Sequence, residues 1–195
     1  MVAVDINGFY NIKALYHMTH IDNFDAIFRN GLLPHGNRYQ SQDISDKQVN
    51  SLRNREEPIY GKAIHSYVPF YINPKNAMLY KRKEMQNEIV ILEFSKELLF
   101  TTNSIFTDGN ASSRNTNFFN NIQDLDRLDW SCLNDNSWYN HVDGRRRRMA
   151  EVLVRDSVGV DSLSRVICNN MATFNRLKQI VGNRVEIVLD CSFYF

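Results

Sequence analysis

The run Asn87-Glu88-Ile89-Val90-Ile91-Leu92-Glu93-Phe94 constrains this chain most. Its β-branched, almost unbroken apolar centre reads as a buried strand, and a buried strand needs neighbours to take its hydrogen bonds. Ala14 to His20 reads as a short strand, and so does Tyr67-Val68-Pro69-Phe70-Tyr71-Ile72, whose proline places it at a strand start, an edge or a bulge. Thr101 to Thr107, Glu151 to Val154, a segment within Val160 to Ile167, and Arg184 to Leu189, which closes the sheet, complete the set. Asp22-Asn23 can cap a helix that carries Phe24, Ile27 and Phe28 at helical spacing and ends at Gly31. Further helices are predicted over Asn76 to Lys83 and Met171 to Val181, with a short one in Lys47 to Arg55. Leu32 to Gln48 is a polar loop, and the stretch from Thr107 to Trp130 is a long one of the kind that often carries function. Strands and helices mix without a regular βαβ repeat, so the fold class is α+β.

With 195 residues, 43% apolar and 12% aromatic, the chain is long enough for a real core, and we expect one domain over residues 1–195. The net charge is only +1, so any affinity for a polyanion must come from where the cations sit. They cluster in Arg145-Arg146-Arg147-Arg148, in Lys75 with Lys81, Arg82 and Lys83, and in Arg53 with Arg55. Cys132, Cys168 and Cys191 show no pairing pattern and no CxxC spacing, which fits a reducing compartment. The start MVAVDINGFY lacks a basic region followed by an apolar one, and no apolar run approaches the ~20 residues that span a bilayer. A cytoplasmic location is expected.

Several chemistries are poorly supported. The histidines and cysteines form no HxxxH, HxH or CxxC set, so no metal is expected. There is no GxxxxGK[ST], no GxGxxG after a strand and no GxSxG elbow. His17 and His20 flank Met18-Thr19 and fall on opposite faces of a regular strand, so only one of them can face a cleft. What stands out is Glu151, a lone acid delivered from the four-arginine run into an apolar strand. A run of that kind is usually a solvated face. A single carboxylate with strand aromatics and scattered arginines nevertheless suits a reaction whose transition state resembles an oxocarbenium ion, where the acid meets the sugar and the cations meet phosphate.

Five segments in a fixed order carry a resemblance: Leu15-Tyr16-His17-Met18-Thr19-His20-Ile21-Asp22-Asn23; Val68-Pro69-Phe70-Tyr71-Ile72-Asn73-Pro74 followed by Ala77-Met78-Leu79-Tyr80; Thr107-Asp108-Gly109; Leu125-Asp126-Arg127-Leu128-Asp129-Trp130; and the arginines ending in Ala150-Glu151-Val152-Leu153-Val154. Together they resemble the DarT family of DNA ADP-ribosyltransferase toxins. The resemblance implies an ADP-ribosyltransferase fold, a split antiparallel β-sheet with flanking helices around a cleft for NAD, which is consumed as a substrate. It implies transfer of ADP-ribose to a base of single-stranded DNA, and a cognate macrodomain antitoxin as partner. Glu151 then matches the catalytic glutamate, and Arg53 the active-site arginine, with Arg55 close enough to be the alternative. His20 and Asn23 match the first NAD-contacting strand and helix cap, and Tyr71 and Met78 match positions near the nicotinamide. Arg145, Arg146, Arg147 and Arg148 are candidate DNA contacts. Many family members carry histidine after Asp-Gly, whereas this chain has Asn110, an amide that cannot transfer a proton but can position a base. The target therefore stays open between guanine and thymine, leaning to guanine. Transfer to RNA or protein, and a nucleic-acid-binding module without catalysis, are the competing readings.

Overall fold

The computed structural model of the chain describes residue 10 and residues 12–45 and 50–195. Strands β1 (Leu15–His20), β2 (Tyr67–Tyr71), β3 (Ile89–Phe94), β4 (Ser104–Thr107), β5 (Phe118–Phe119), β6 (Glu151–Arg155), β7 (Leu163–Cys168) and β8 (Glu186–Leu189) join in one sheet, in the order β5-β4-β6-β2-β1-β3-β7-β8. Neighbours are antiparallel except β7 and β8, which run parallel and form one edge. Around the sheet lie α1 (Ile21–Asn30), α2 (Ala77–Lys81), α3 (Trp130–Asn134), α4 (Gly144–Arg147) and α5 (Met171–Val181). The helix expected over Lys47 to Arg55 falls partly outside the described residues, and Leu52–Asn54 is a 3-10 turn. No helix among the described residues is long and apolar enough to cross a membrane.

β3 is apolar but for Glu93, which pairs with Arg165, because both of its faces are covered. Val90, Leu92 and Phe94 join Leu15, Val152 and Val166 in a core closed by Phe24 of α1 and by Leu177 and Val181 of α5. Ile89 and Ile91 face the other way and pack with Tyr16, Met18 and Ile167.

The sheet is not evenly joined. β1 pairs with β3 along all six of its residues, but with β2 only at Tyr16 opposite Tyr71. Pro69 lies on this seam. Ile72 donates to Ala150 O at 3.3 Å, so by the alternation of a strand Phe70 and Val68 also address β6, while Pro69 turns its edge toward β1. A proline is tolerated in this interior strand because its missing donor falls where the sheet opens. Its carbonyl accepts instead from His17 Nδ1, at 2.8 Å.

One local expectation is corrected. β1 runs into α1 without a loop, and the cap is His20, whose Nδ1 accepts from Asp22 N at 3.1 Å. Asn23 is buried in the first turn, where its Oδ1 accepts from the amides of Ser41 and Gln42, each at 2.9 Å, and its Nδ2 donates to Gln42 O at 2.7 Å. It fastens the polar loop after α1 to the sheet.

The arginine run separates because a single helical turn sends its side chains in different directions. Arg147 donates to Asp129 Oδ2 at 2.8 Å, and Arg146 to Asp108 Oδ1 at 2.7 Å and to Asp143. Arg148 turns inward, only 2% exposed, and donates to Cys132 O, Leu133 O and Asp135 O at the end of α3 and to Lys75 O. Those carbonyls are the ones a helix end leaves without partners. Arg148 is therefore corrected from a DNA contact to a helix-closing residue. Arg145 alone of the four is exposed and has no ion-pair partner among the described residues.

Arg148→Ala should cost about 3 kcal/mol in urea unfolding, since it strands buried carbonyl groups. A variant as stable as the parent but weakened toward DNA would return Arg148 to the DNA surface.

Candidate active site

Where β1 and β2 part, a cavity of about 540 Å³ opens, walled by His17, Arg53, Tyr71, Met78, Asn110 and Met149 among others. That volume is in the range of small-molecule and cofactor clefts, roughly 300–1,000 Å³.

Glu151 stands behind this wall. It is the first residue of β6 and pairs with Tyr71 of β2, and it lies on the sheet face opposite the core residues Val152 and Val154. It is completely buried, and its carboxylate takes Arg53 Nη2 at 2.6 Å on each oxygen, so that one nitrogen bridges both. Ala111 N donates to Oε1 at 3.0 Å. A buried carboxylate persists as an anion only with such partners. Burial works against the charge on Arg53, but the Glu151 carboxylate outweighs it and holds the guanidinium above its ordinary range. Tyr71 is held neutral: burial raises its pKa, Glu151 adds to the rise and Arg53 opposes it.

The long loop explains the Thr107-Asp108-Gly109 segment residue by residue. Thr107 Oγ1 accepts from Glu151 N at 3.1 Å and donates to Gly109 O at 2.7 Å, locking the loop to the start of β6. Asp108 holds Arg146 and also accepts from Asn117 N at 3.0 Å. A Cβ at Gly109 would stand 2.5 Å from Arg146 Nη1 and 3.0 Å from the Arg146 carbonyl oxygen, so the close approach requires glycine. The loop thereby presents Asn110 to the cavity and Ala111 N to the acid.

The two neighbouring arginines do different work. Arg53 is on the acid, whereas Arg55 Nη2 donates to Ala111 O at 3.0 Å and Ser113 O at 2.7 Å and lies over the Phe118 ring. Arg55 holds the loop that holds the acid.

Of the residues singled out from the sequence, Asn23, Arg53, Tyr71, Met78, Asn110, Arg145 and Arg146 line the cavity. His20 does not border it, since its ring caps α1 and bonds Glu88 Oε2 at 3.2 Å. From β1 it is His17, with Met18 and Thr19, that borders the cavity instead. A carbonyl only accepts, so the bond to Pro69 O puts the His17 proton on Nδ1 and leaves Nε2 as an acceptor. Burial pushes the pKa of this ring down to about 4, against the opposing pull of that carbonyl. Sequence reasoning also missed His35 and His65, whose rings stack at 4.9 Å on the cavity rim. It missed the Ala111 amide as well, which no side chain announces.

The structure of Thermus sp. 2.9 DarT in complex with ADP-ribosylated ssDNA matches this chain with a TM-score of 0.84 at 25% identity, covering 95% of this chain and 97% of that one. The architecture is that of an ADP-ribosyltransferase. A family model described as DarT, ssDNA thymidine ADP-ribosyltransferase, matches residues 16–195. A DNA ADP-ribosyl transferase of Thermus sp. (strain 2.9) is 31% identical over 153 residues, covering 72% of this chain and 73% of its own length. A DNA ADP-ribosyl transferase–DNA ADP-ribosyl glycohydrolase fusion protein of Thermosipho africanus is 26% identical over 197 residues, and this chain spans 50% of its length. The chain belongs to the DarT family of NAD-dependent DNA ADP-ribosyltransferases.

The His17 environment has a pH consequence. Its folded-state pKa, about 4, lies below the ordinary 6.5, so the unfolded chain binds the extra proton first and stability falls as pH drops from about 6.5 through about 4. Urea unfolding across that window should show a steeper loss for the parent than for His17→Gln. Equal slopes would mean that His17 is not held neutral.

Proposed function

We propose that this chain transfers ADP-ribose from NAD to a thymidine base in single-stranded DNA, with Glu151 as the catalytic carboxylate. The observation that carries the reading is the fully buried Glu151 carboxylate clasped by Arg53 beside a cavity wide enough for a dinucleotide. The choice of thymidine follows the description of the family model rather than the earlier lean to guanine.

The chemistry follows from the residues. Breaking the bond between nicotinamide and ribose sends its electron pair to the nicotinamide and leaves positive charge on the sugar. A carboxylate fixed beforehand against that sugar stabilises the charge without reorganising. Arg53 covers Glu151 on the cavity side, and phosphate oxygens are natural competitors for a guanidinium. Binding of NAD would thus draw Arg53 outward and release a carboxylate oxygen toward the ribose. As the base bonds to the sugar carbon, its displaced proton passes to the same carboxylate.

Tyr71 and Met78 supply the wall for the nicotinamide end and His17 offers Nε2 to the sugars, while Asn23, its amide taken up by Thr19, Ser41 and Gln42, shapes the cavity by holding its loop. His20 acts through the start of α1 rather than by contact. Asn110 faces the cavity with its oxygen held by Ser112 N at 2.9 Å and its amide nitrogen directed to Met149 Sδ, a placement suited to reading a base edge. The acceptor base must be unpaired to reach such a site.

The glycohydrolase fused to the Thermosipho africanus relative supports a toxin whose modification is reversed by a partner. A macrodomain antitoxin is the partner we expect for this chain.

Incubating purified protein with NAD and a thymidine-containing oligonucleotide should yield a slower-migrating product. Glu151→Gln should lower its rate of formation by on the order of 10²–10³, with NAD binding and the melting transition followed on the same sample. A folded Glu151→Gln chain that works at the parent rate would remove Glu151 from the mechanism.

A further inference from the structure

Next to the catalytic cavity lies a second groove, of about 620 Å³, which shares the rim residues Ala77, Lys81, Asp143 and Arg145 with it. Its floor is aromatic. Trp138 is only 5% exposed and is set by the edges of Tyr80 and Phe195, at 6.0 and 5.7 Å between ring centres. Tyr139 stacks on Trp138 at 5.2 Å with the planes 29° apart, yet is itself 72% exposed. An aromatic ring anchored on one face and open on the other has no role in the core.

The charges around it are uneven. The nearby acids are taken up within the fold: Asp135 pairs with His141 at 2.8 Å and Asp143 with Arg146. Lys83, 5.6 Å from the Tyr80 ring centre, and Arg145 have no acidic partner among the described residues. Two open cations beside an open aromatic face fit a nucleotide, with the base on the ring and its phosphate on the cations.

We infer that Tyr139, backed by Trp138, stacks a nucleobase that neighbours the target base on the same DNA strand, with Lys83 and Arg145 on the intervening phosphates. The inference rests on the proposed activity toward single-stranded DNA and adds to it a binding site for a flanking base outside the cavity. The shared rim permits the arrangement: a strand whose target base enters the cavity can leave across Arg145 into the groove, where Tyr139 is the most exposed aromatic surface.

The test uses one oligonucleotide that the parent protein modifies, and a set in which each flanking nucleotide in turn is made abasic. Stacking on an aromatic ring is worth enough to change kcat/KM about tenfold. Removing one particular flanking base should therefore cost the parent about tenfold. Tyr139→Ala should lose the same factor on the intact oligonucleotide and lose nothing more on that abasic version. Tyr139→Phe should restore the rate, and NAD binding by calorimetry should be the same in all three proteins. Parent-like activity of Tyr139→Ala, or a flat abasic scan, would overturn the stacking site while leaving the proposed activity intact. A parent that modifies no oligonucleotide at all would instead overturn the activity on which the inference rests.

Discussion

The Glu151 carboxylate is a charge placed where water cannot reach it, and much of the surrounding structure exists to make that tolerable. Removing one partner of a buried ion pair commonly costs about 3–5 kcal/mol, because the survivor is left charged and unsolvated. Here the partners come from three separate parts of the chain. Arg53 arrives from the 3-10 turn before β2, the Ala111 amide from the long loop after β4, and Glu151 from the start of β6. The loop and the strand are held in turn. Arg55 fixes the loop carbonyls, Thr107 joins the loop to the backbone of Glu151, and Arg146 braces Asp108. With its strand and the neighbouring loop fixed in this way, the carboxylate can keep its place when substrate displaces Arg53, as electrostatic stabilisation of a transition state requires.

The seam between β1 and β2 provides the space. A sheet joined throughout would bury its central strands on both edges and leave no room for a dinucleotide between them. One paired residue, Tyr16 with Tyr71, and one side-chain bridge, His17 to Pro69, keep the two halves in register while the rest of the seam opens. Tyr71 belongs to both joints, since it also pairs with Glu151. The same residue thus connects the seam of the sheet to its buried acid.

How much of this could be read from the sequence depended on the range of the interaction. Strands announce themselves through local side-chain pattern, so β1, β3, β6 and α5 stand within a few residues of their expected places. Glu151 was legible because an acid at the head of an apolar strand is a local anomaly. The fate of the arginine run was not legible. Whether an arginine meets solvent or a helix end depends on what the fold brings beside it, and the carbonyls of Cys132, Leu133 and Asp135 come to Arg148 from a separate helix. The same applies to the cap of α1. Asp22-Asn23 has the right chemistry for a cap, but β1 enters the helix so directly that His20 takes the position and Asn23 is released to hold a distant loop. Resemblance could not separate Arg53 from Arg55, because what distinguishes them is long-range: Arg53 meets the Glu151 carboxylate and Arg55 meets two loop carbonyls.

The chemistry of the product decides which acceptor this site serves. Mass spectrometry of nucleosides released from a random single-stranded DNA pool, after treatment with this protein and NAD, tests it most directly. ADP-ribosylated thymidine is the result the account requires. A pool left unmodified, while RNA or protein in parallel reactions acquires ADP-ribose, would contradict it.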